Sequence, residues 1–135
     1  KGHVVLVGYG RVGRGVGESL INSGERFAVI ESEDDLVELP REEEALVISG
    51  NAASADVLET AQIADARILF VAIPESFEAG QIIEQARRLN PAIRIVARAH
   101  SQDEVTHLLK MGADMTIMGE QEIARRMIEQ ARAGA

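Results

Sequence analysis

The stretch Val4-Val5-Leu6-Val7-Gly8-Tyr9-Gly10-Arg11-Val12-Gly13 constrains this chain more than any other. A continuously apolar run of four residues reads as a strand buried on both faces, the kind found in parallel sheets with helices on either side. It runs directly into G-x-G-x-x-G, which opens a helical pattern over 11–23. In that context each glycine has a distinct use. Gly8 permits a tight turn, Gly10 lets a phosphate approach the backbone, and Gly13 lets the helix lie close to the strand. Gly17 falls one turn later on the same helical face and is read as extending that close packing. Glycines at 13, 15 and 17 cost a helix about 1 kcal/mol each relative to alanine. Close approach and a bound anion offset that cost at 13 and 17, whereas Gly15 has no physical account.

The rest of the chain repeats the alternation. Strands are predicted at Val4–Val7, Ala28–Ile30, Ala45–Ile48, Ile68–Ala72, Ile93–Ala97 and Met115–Met118. Helices are predicted at 11–23, 33–39, 54–62, 76–90, 101–111 and 120–132. Gly24 closes the first helix, and Ser76 opens the run holding Glu78 and Glu84. Asn90-Pro91 ends that run, since a residue before proline avoids the helical region. Ser101 with Glu104 forms a capping-box pattern, and Gly112 sits at a left-handed helix end. Strict alternation implies one α/β domain over 1–135, a Rossmann-like, doubly wound, parallel six-stranded sheet ordered 3-2-1-4-5-6. Ile123 and Met127 of the last helix are expected in the core, and the Met127–Ala131 stretch at an interface.

Composition narrows the function. The 135 residues carry 22 acids against 14 bases, a net charge of −8, which argues against a nucleic-acid partner or an anionic membrane surface. With no cysteine, thiolate chemistry is excluded. Aromatics at 3% leave an aliphatic core. No apolar run is long enough to span a membrane. Lys1-Gly2 runs straight into the first strand, so the expectation is a domain excised from a longer chain and soluble as a fragment.

An anion is therefore to be held by local dipoles. Unpaired N–H groups at the helix start form a phosphate site, with Arg11 in the first turn able to close over it. Glu31 ends the second strand, eighteen residues past Gly13, where a dinucleotide fold places the carboxylate that accepts from ribose hydroxyls. The alternative is a helix-N-terminal acid. Ser32, Glu33 and Asp34 follow it, so a 2′-phosphate would meet negative charge, and NADP is disfavoured against NAD or an adenosine nucleotide. After the third strand, Asn51 and Ala52 lie beside the expected adenine position; Asn51 is equally a cap for the next helix. Ala72 and Ile73 lie at the switch point, where small residues leave room for a ligand. Arg98 ends the fifth strand on the same edge, as an anion contact or a partner for surface acids. His3, His100 and His107 form no acid–base pair and no metal set, and are expected at the surface.

Read in order, "GYGRVG", "VIE", "GNA", "IP…EAG", "NP.I.I.ARAH" and "MGE.EIAR" resemble the RCK or KTN nucleotide-binding domain of TrkA-N type. Within it the chain is most similar to the cytoplasmic domains of Kef-type potassium:proton antiporters, the YbaL-like group in particular. That resemblance implies a homodimer on the cytoplasmic face of the inner membrane. It would bind AMP or NAD(H) and gate an attached potassium-efflux antiporter without being an enzyme. Carried over residue by residue, the binding positions are Gly8, Tyr9, Gly10, Arg11, Val12, Gly13, Glu31, Ser32, Asn51 and Ala52, with Ala72, Ile73 and Arg98 on the rim. Many relatives carry Asp where this chain has Asn51. The rival expectation is a cofactor-binding fragment of an NAD-dependent dehydrogenase, since a cofactor fold does not dictate chemistry.

Overall fold

A computed structural model describes residues 2–32 and 38–134. Six parallel strands, β1 (Val4–Val7), β2 (Phe27–Glu31), β3 (Leu46–Ser49), β4 (Ile68–Val71), β5 (Arg94–Ala99) and β6 (Met115–Met118), stand in the order 3-2-1-4-5-6. Between them run α1 (Arg11–Asn22), α2 (Ala55–Thr60), α3 (Ser76–Leu89) and α4 (Gln102–Met111); α5 (Gly119–Ala133) follows β6. The second helical segment is shorter than expected, because Gln62 takes a left-handed conformation and a 3₁₀ turn (Ile63–Asp65) follows. Most of the helix expected at 33–39 lies outside the described residues; Glu38 and Leu39 are not helical.

Alternation along the strands divides the core in two. Val5, Val7, Ile30, Leu69, Val71, Ile95 and Ala97 face α2, α3 and α4, where Leu58, Ile82, Ile83 and Leu108 are fully buried. Full burial of each such side chain contributes about 1.5–3 kcal/mol. Val4, Leu6, Phe27 and Val29 face the other way, against Val16, Leu20 and Ile21 of α1.

That second face is closed over only half the sheet. Register places Phe70, Val96 and Met115 in one row and Arg98 beside Ile117. Phe70 and Val96 are half-buried, while Met115 and Ile117 are exposed. β4 is therefore not buried on both faces. The reason is α5, which buries no residue: Ile123 is 63% exposed, Met127 68% and Ile128 52%. The expected core placement of Ile123 and Met127 is wrong for this chain by itself.

Helix ends follow local chemistry. α1 closes with the Glu25 N–H donating to Leu20 O and the Gly24 N–H to Ile21 O, with Gly24 left-handed, and Gly112 ends α4 in the same way. Glu75, not Ser76, caps α3: its carboxylate accepts the Glu78 N–H at 2.9 Å, where the helix dipole favours negative charge. Ser101 caps α4 as expected, but Glu104 reaches one residue further back and accepts the His100 N–H.

Candidate nucleotide site

β1 leads into the Gly8 turn. Gly8 has φ +96°, its N–H donates to Ile30 O at 3.0 Å, and a side chain there would collide with Ile73. The first helical bond of α1 runs from the Arg14 N–H to Gly10 O at 2.8 Å. The N–H groups of Arg11, Val12 and Gly13 thus have no intrahelical acceptor, and Gly10 brings no capping side chain. A Cβ on Gly10 would meet nothing within 4 Å, so the backbone is open to a ligand there. Gly13 differs: its Cβ would lie 1.9 Å from Gly8 O, so the helix start rests on the turn itself.

Glu31 is the one buried charged side chain among the described residues, 7% exposed. The Tyr9 N–H donates to its Oε2 at 2.6 Å and the Ser32 N–H to its Oε1 at 2.9 Å. Burying a carboxylate is costly unless it is hydrogen-bonded, and these two amides supply that while fixing its direction. Glu31 thereby ties the Gly8–Gly10 turn to the end of β2.

Next to it is a cleft of about 360 Å³, lined by Val7, Ile30, Glu31, Ser32, Gly50, Ala52, Ile73, Pro74, Glu75 and Glu78. Of the residues singled out from sequence, Glu31, Ser32, Ala52 and Ile73 line it, and Gly8 borders it through Ile73. Arg11 and Val12 project outward and are exposed. Asn51 is used locally: its Oδ1 accepts the Ala53 N–H at 2.9 Å in a turn, while Ser54 takes the cap position of α2. Ala72 contributes its backbone, its N–H donating to Val7 O and its carbonyl accepting from Arg98. Among the described residues Arg98 makes no acid contact; it also reaches His100. Glu78, which sequence reasoning missed, lies one helical step past the capping Glu75. A carboxylate at the third position after a cap was the available signal.

The Tyr9 ring takes a place that the motif did not foretell. It is buried among Val4, Leu6, Phe27 and Val29, and a Cβ on Gly17 would lie 2.4 Å from its Cε1. Gly17 therefore makes room for the Tyr9 ring rather than for a strand. Burial, with Glu18 nearby, raises the Tyr9 hydroxyl above its ordinary pKa. Only its backbone N–H belongs to the site.

A wider recess of about 640 Å³, lined by Gly2, His3, Gly24, Glu25, Arg26, Gln62 and Asp65, lies elsewhere on the surface. Two of its polar side chains are already engaged, His3 Nε2 with Ala61 O and Glu25 with Arg67. His107, expected at the surface, is partly buried between α3 and α4, against Gly80. Among the described residues, no group of three His, Asp or Glu is placed to hold a metal. No described helix is long and apolar enough to cross a membrane.

Comparison with known proteins agrees with this geometry. The TrkA-N domain profile matches residues 4–119. YbaL of Escherichia coli K12, assigned as a cation/proton antiporter, is 44% identical over 127 residues, which is 94% of this chain and 23% of YbaL. The solved TrkA-N domain of the E. coli inner membrane protein YbaL superposes with a TM-score of 0.88 at 43% identity, covering 96% of each chain. The Kef C-terminal domain of Shewanella denitrificans, solved in an AMP-bound form, gives a TM-score of 0.80 at 28% identity, covering 97% of this chain and 80% of that one. KefC of Cronobacter sakazakii, a glutathione-regulated potassium-efflux protein, is 30% identical over 136 residues, 98% of this chain and 22% of KefC. The chain thus spans about a quarter of the length of these curated relatives.

Proposed function

Because this chain belongs to the TrkA-N domain family, we propose that it is a nucleotide-sensing regulatory domain, binding AMP or NAD(H) at the switch-point cleft. The observation that carries this reading is the buried Glu31 carboxylate, held by the Tyr9 N–H beside the uncapped start of α1. A phosphate on the α1 amides and a ribose on Glu31 use both halves of that arrangement. The AMP-bound Kef domain supports the ligand class. Glu31, Glu75 and Glu78 line the cleft with no cation among its described lining residues, which disfavours the extra 2′-phosphate of NADP.

The same reading makes the domain part of a longer membrane protein, on the cytoplasmic face of the inner membrane, where it gates potassium:proton antiport and catalyses nothing itself. It works as a homodimer, with the half-open sheet face and the exposed apolar side of α5 as the surface for the second copy. Nucleotide acts through its different affinities for two arrangements of that dimer.

Calorimetric titration with AMP, ATP, NAD, NADH and NADP tests the reading. Micromolar binding of AMP or NAD, with NADP weaker and no NADH consumed, is the expected result. Substrate-dependent oxidation of NADH would point to a dehydrogenase fragment, and silence towards all five would remove the sensor.

A further inference from the structure

At the carboxyl edge a relay of side chains runs across three elements. Arg98 of β5 turns towards β4, where Nη1 donates to the Ala72 carbonyl at 3.1 Å and Nη2 reaches His100 Nε2 at 3.2 Å. The other ring nitrogen, Nδ1, is 3.1 Å from Glu104 Oε1, which also accepts the His100 backbone N–H at 2.7 Å. These bonds, from the His100 backbone first, hold the Glu104 carboxyl below its usual range, and the Ser76 hydroxyl of α3 adds to them. Glu104 is thereby kept as an acceptor facing the ring.

A guanidinium has donors only, so the Arg98 contact requires Nε2 to be an acceptor. Nδ1 must then carry the single ring proton and donate it to Glu104. A second proton has one place to go, Nε2, where it would point at an Arg98 N–H. The contact is lost, and two cations face each other. Ala72, which Arg98 also holds, precedes Ile73, and Ile73 packs on the Gly8 turn.

We propose that His100 is a proton-sensitive positioning residue for the nucleotide site: neutral, it keeps Arg98 folded onto Ala72; protonated, it releases Arg98 towards a ligand phosphate. The ligand in this proposal rests on the nucleotide reading above. The groups facing the imidazole are Arg98 on β5, Glu104 on α4 and, through Glu104, Ser76 on α3. By linkage, phosphate binding and proton uptake reinforce each other.

Two measurements decide it. Long-range ¹H–¹⁵N spectra of the ligand-free domain at about pH 8 should find His100 as the Nδ1–H tautomer, with that preference lost in Arg98→Met. An Nε2–H tautomer would overturn the latch without reference to any nucleotide. AMP titrated at about pH 8 and pH 6 should bind the wild type about fivefold more tightly at the lower pH than it binds His100→Gln there, the two being alike at pH 8. The phosphate of AMP itself titrates near pH 6, but that change is common to both proteins. Equal pH dependence in the two would refute the proposal. Failure of AMP to bind either protein at either pH would remove the ligand and the nucleotide reading together, and the tautomer result separates that failure from failure of the latch.

Discussion

On one face of the sheet, the half built from β1, β2 and β3 and the half built from β4, β5 and β6 are covered in different ways. α1 lies against the first half because it has glycine where it meets the turn and the Tyr9 ring, at positions 13 and 17. Contact is made by the absence of side chains, and Val16, Leu20 and Ile21 then reach the core. α5 has the larger apolar side chains, yet it buries none of them, and Met115 and Ile117 of β6 remain exposed. Apolar bulk on a helix does not itself close a sheet; the helix must also be able to come near. The closed half is the one that carries the Gly8–Gly13 turn, whose geometry tolerates little movement.

Substitutions can break this contrast. Gly13→Ala places a methyl group inside the Gly8 carbonyl and should cost about 3 kcal/mol or more in chemical denaturation, with AMP binding abolished. A mild loss would mean the turn is not the support of α1. Gly17→Ala drives a methyl group into the Tyr9 ring, which must shift to admit it; a loss of about 1–3 kcal/mol is expected, reduced by about 1 kcal/mol of helix propensity. Gly15→Ala has open space around it and should stabilise the domain by about 1 kcal/mol, visible as a rise in Tm. Opposite signs at 15 and 17, two residues apart, would sharpen the comparison most. Last, Ile123→Glu combined with Met127→Glu should leave the stability of a monomer within about 0.5 kcal/mol. Sedimentation should show the proposed dimer lost; a dimer that persists would place the second copy on another surface.

The sheet was legible because buried parallel strands are written as continuous apolar runs, and their order follows from the alternation of elements. Termini moved by a residue or two where backbone chemistry decided, as when α2 stopped at Thr60, short of the left-handed Gln62. Glu31 could be placed at the end of its strand from spacing. Its tether to the Tyr9 N–H could not, because that bond depends on the path of a turn whose φ values no motif states. For the same reason the ring of Tyr9 and the purpose of Gly17 were hidden. The α5 stripe was visible as a pattern, but an amphipathic pattern reports which face is apolar and not what covers it. Asn51 and Arg98 each had two readings from sequence; the fold gave Asn51 to a local turn and Arg98 to a backbone carbonyl.

Both outer strands, β3 and β6, are only four residues long. A stray extended segment aligning along either margin would find few ladder bonds before running past its end. Brevity at the two rims thus guards a sheet with sticky apolar flanks against growing into filaments, leaving side-chain complementarity as the route open to a second copy.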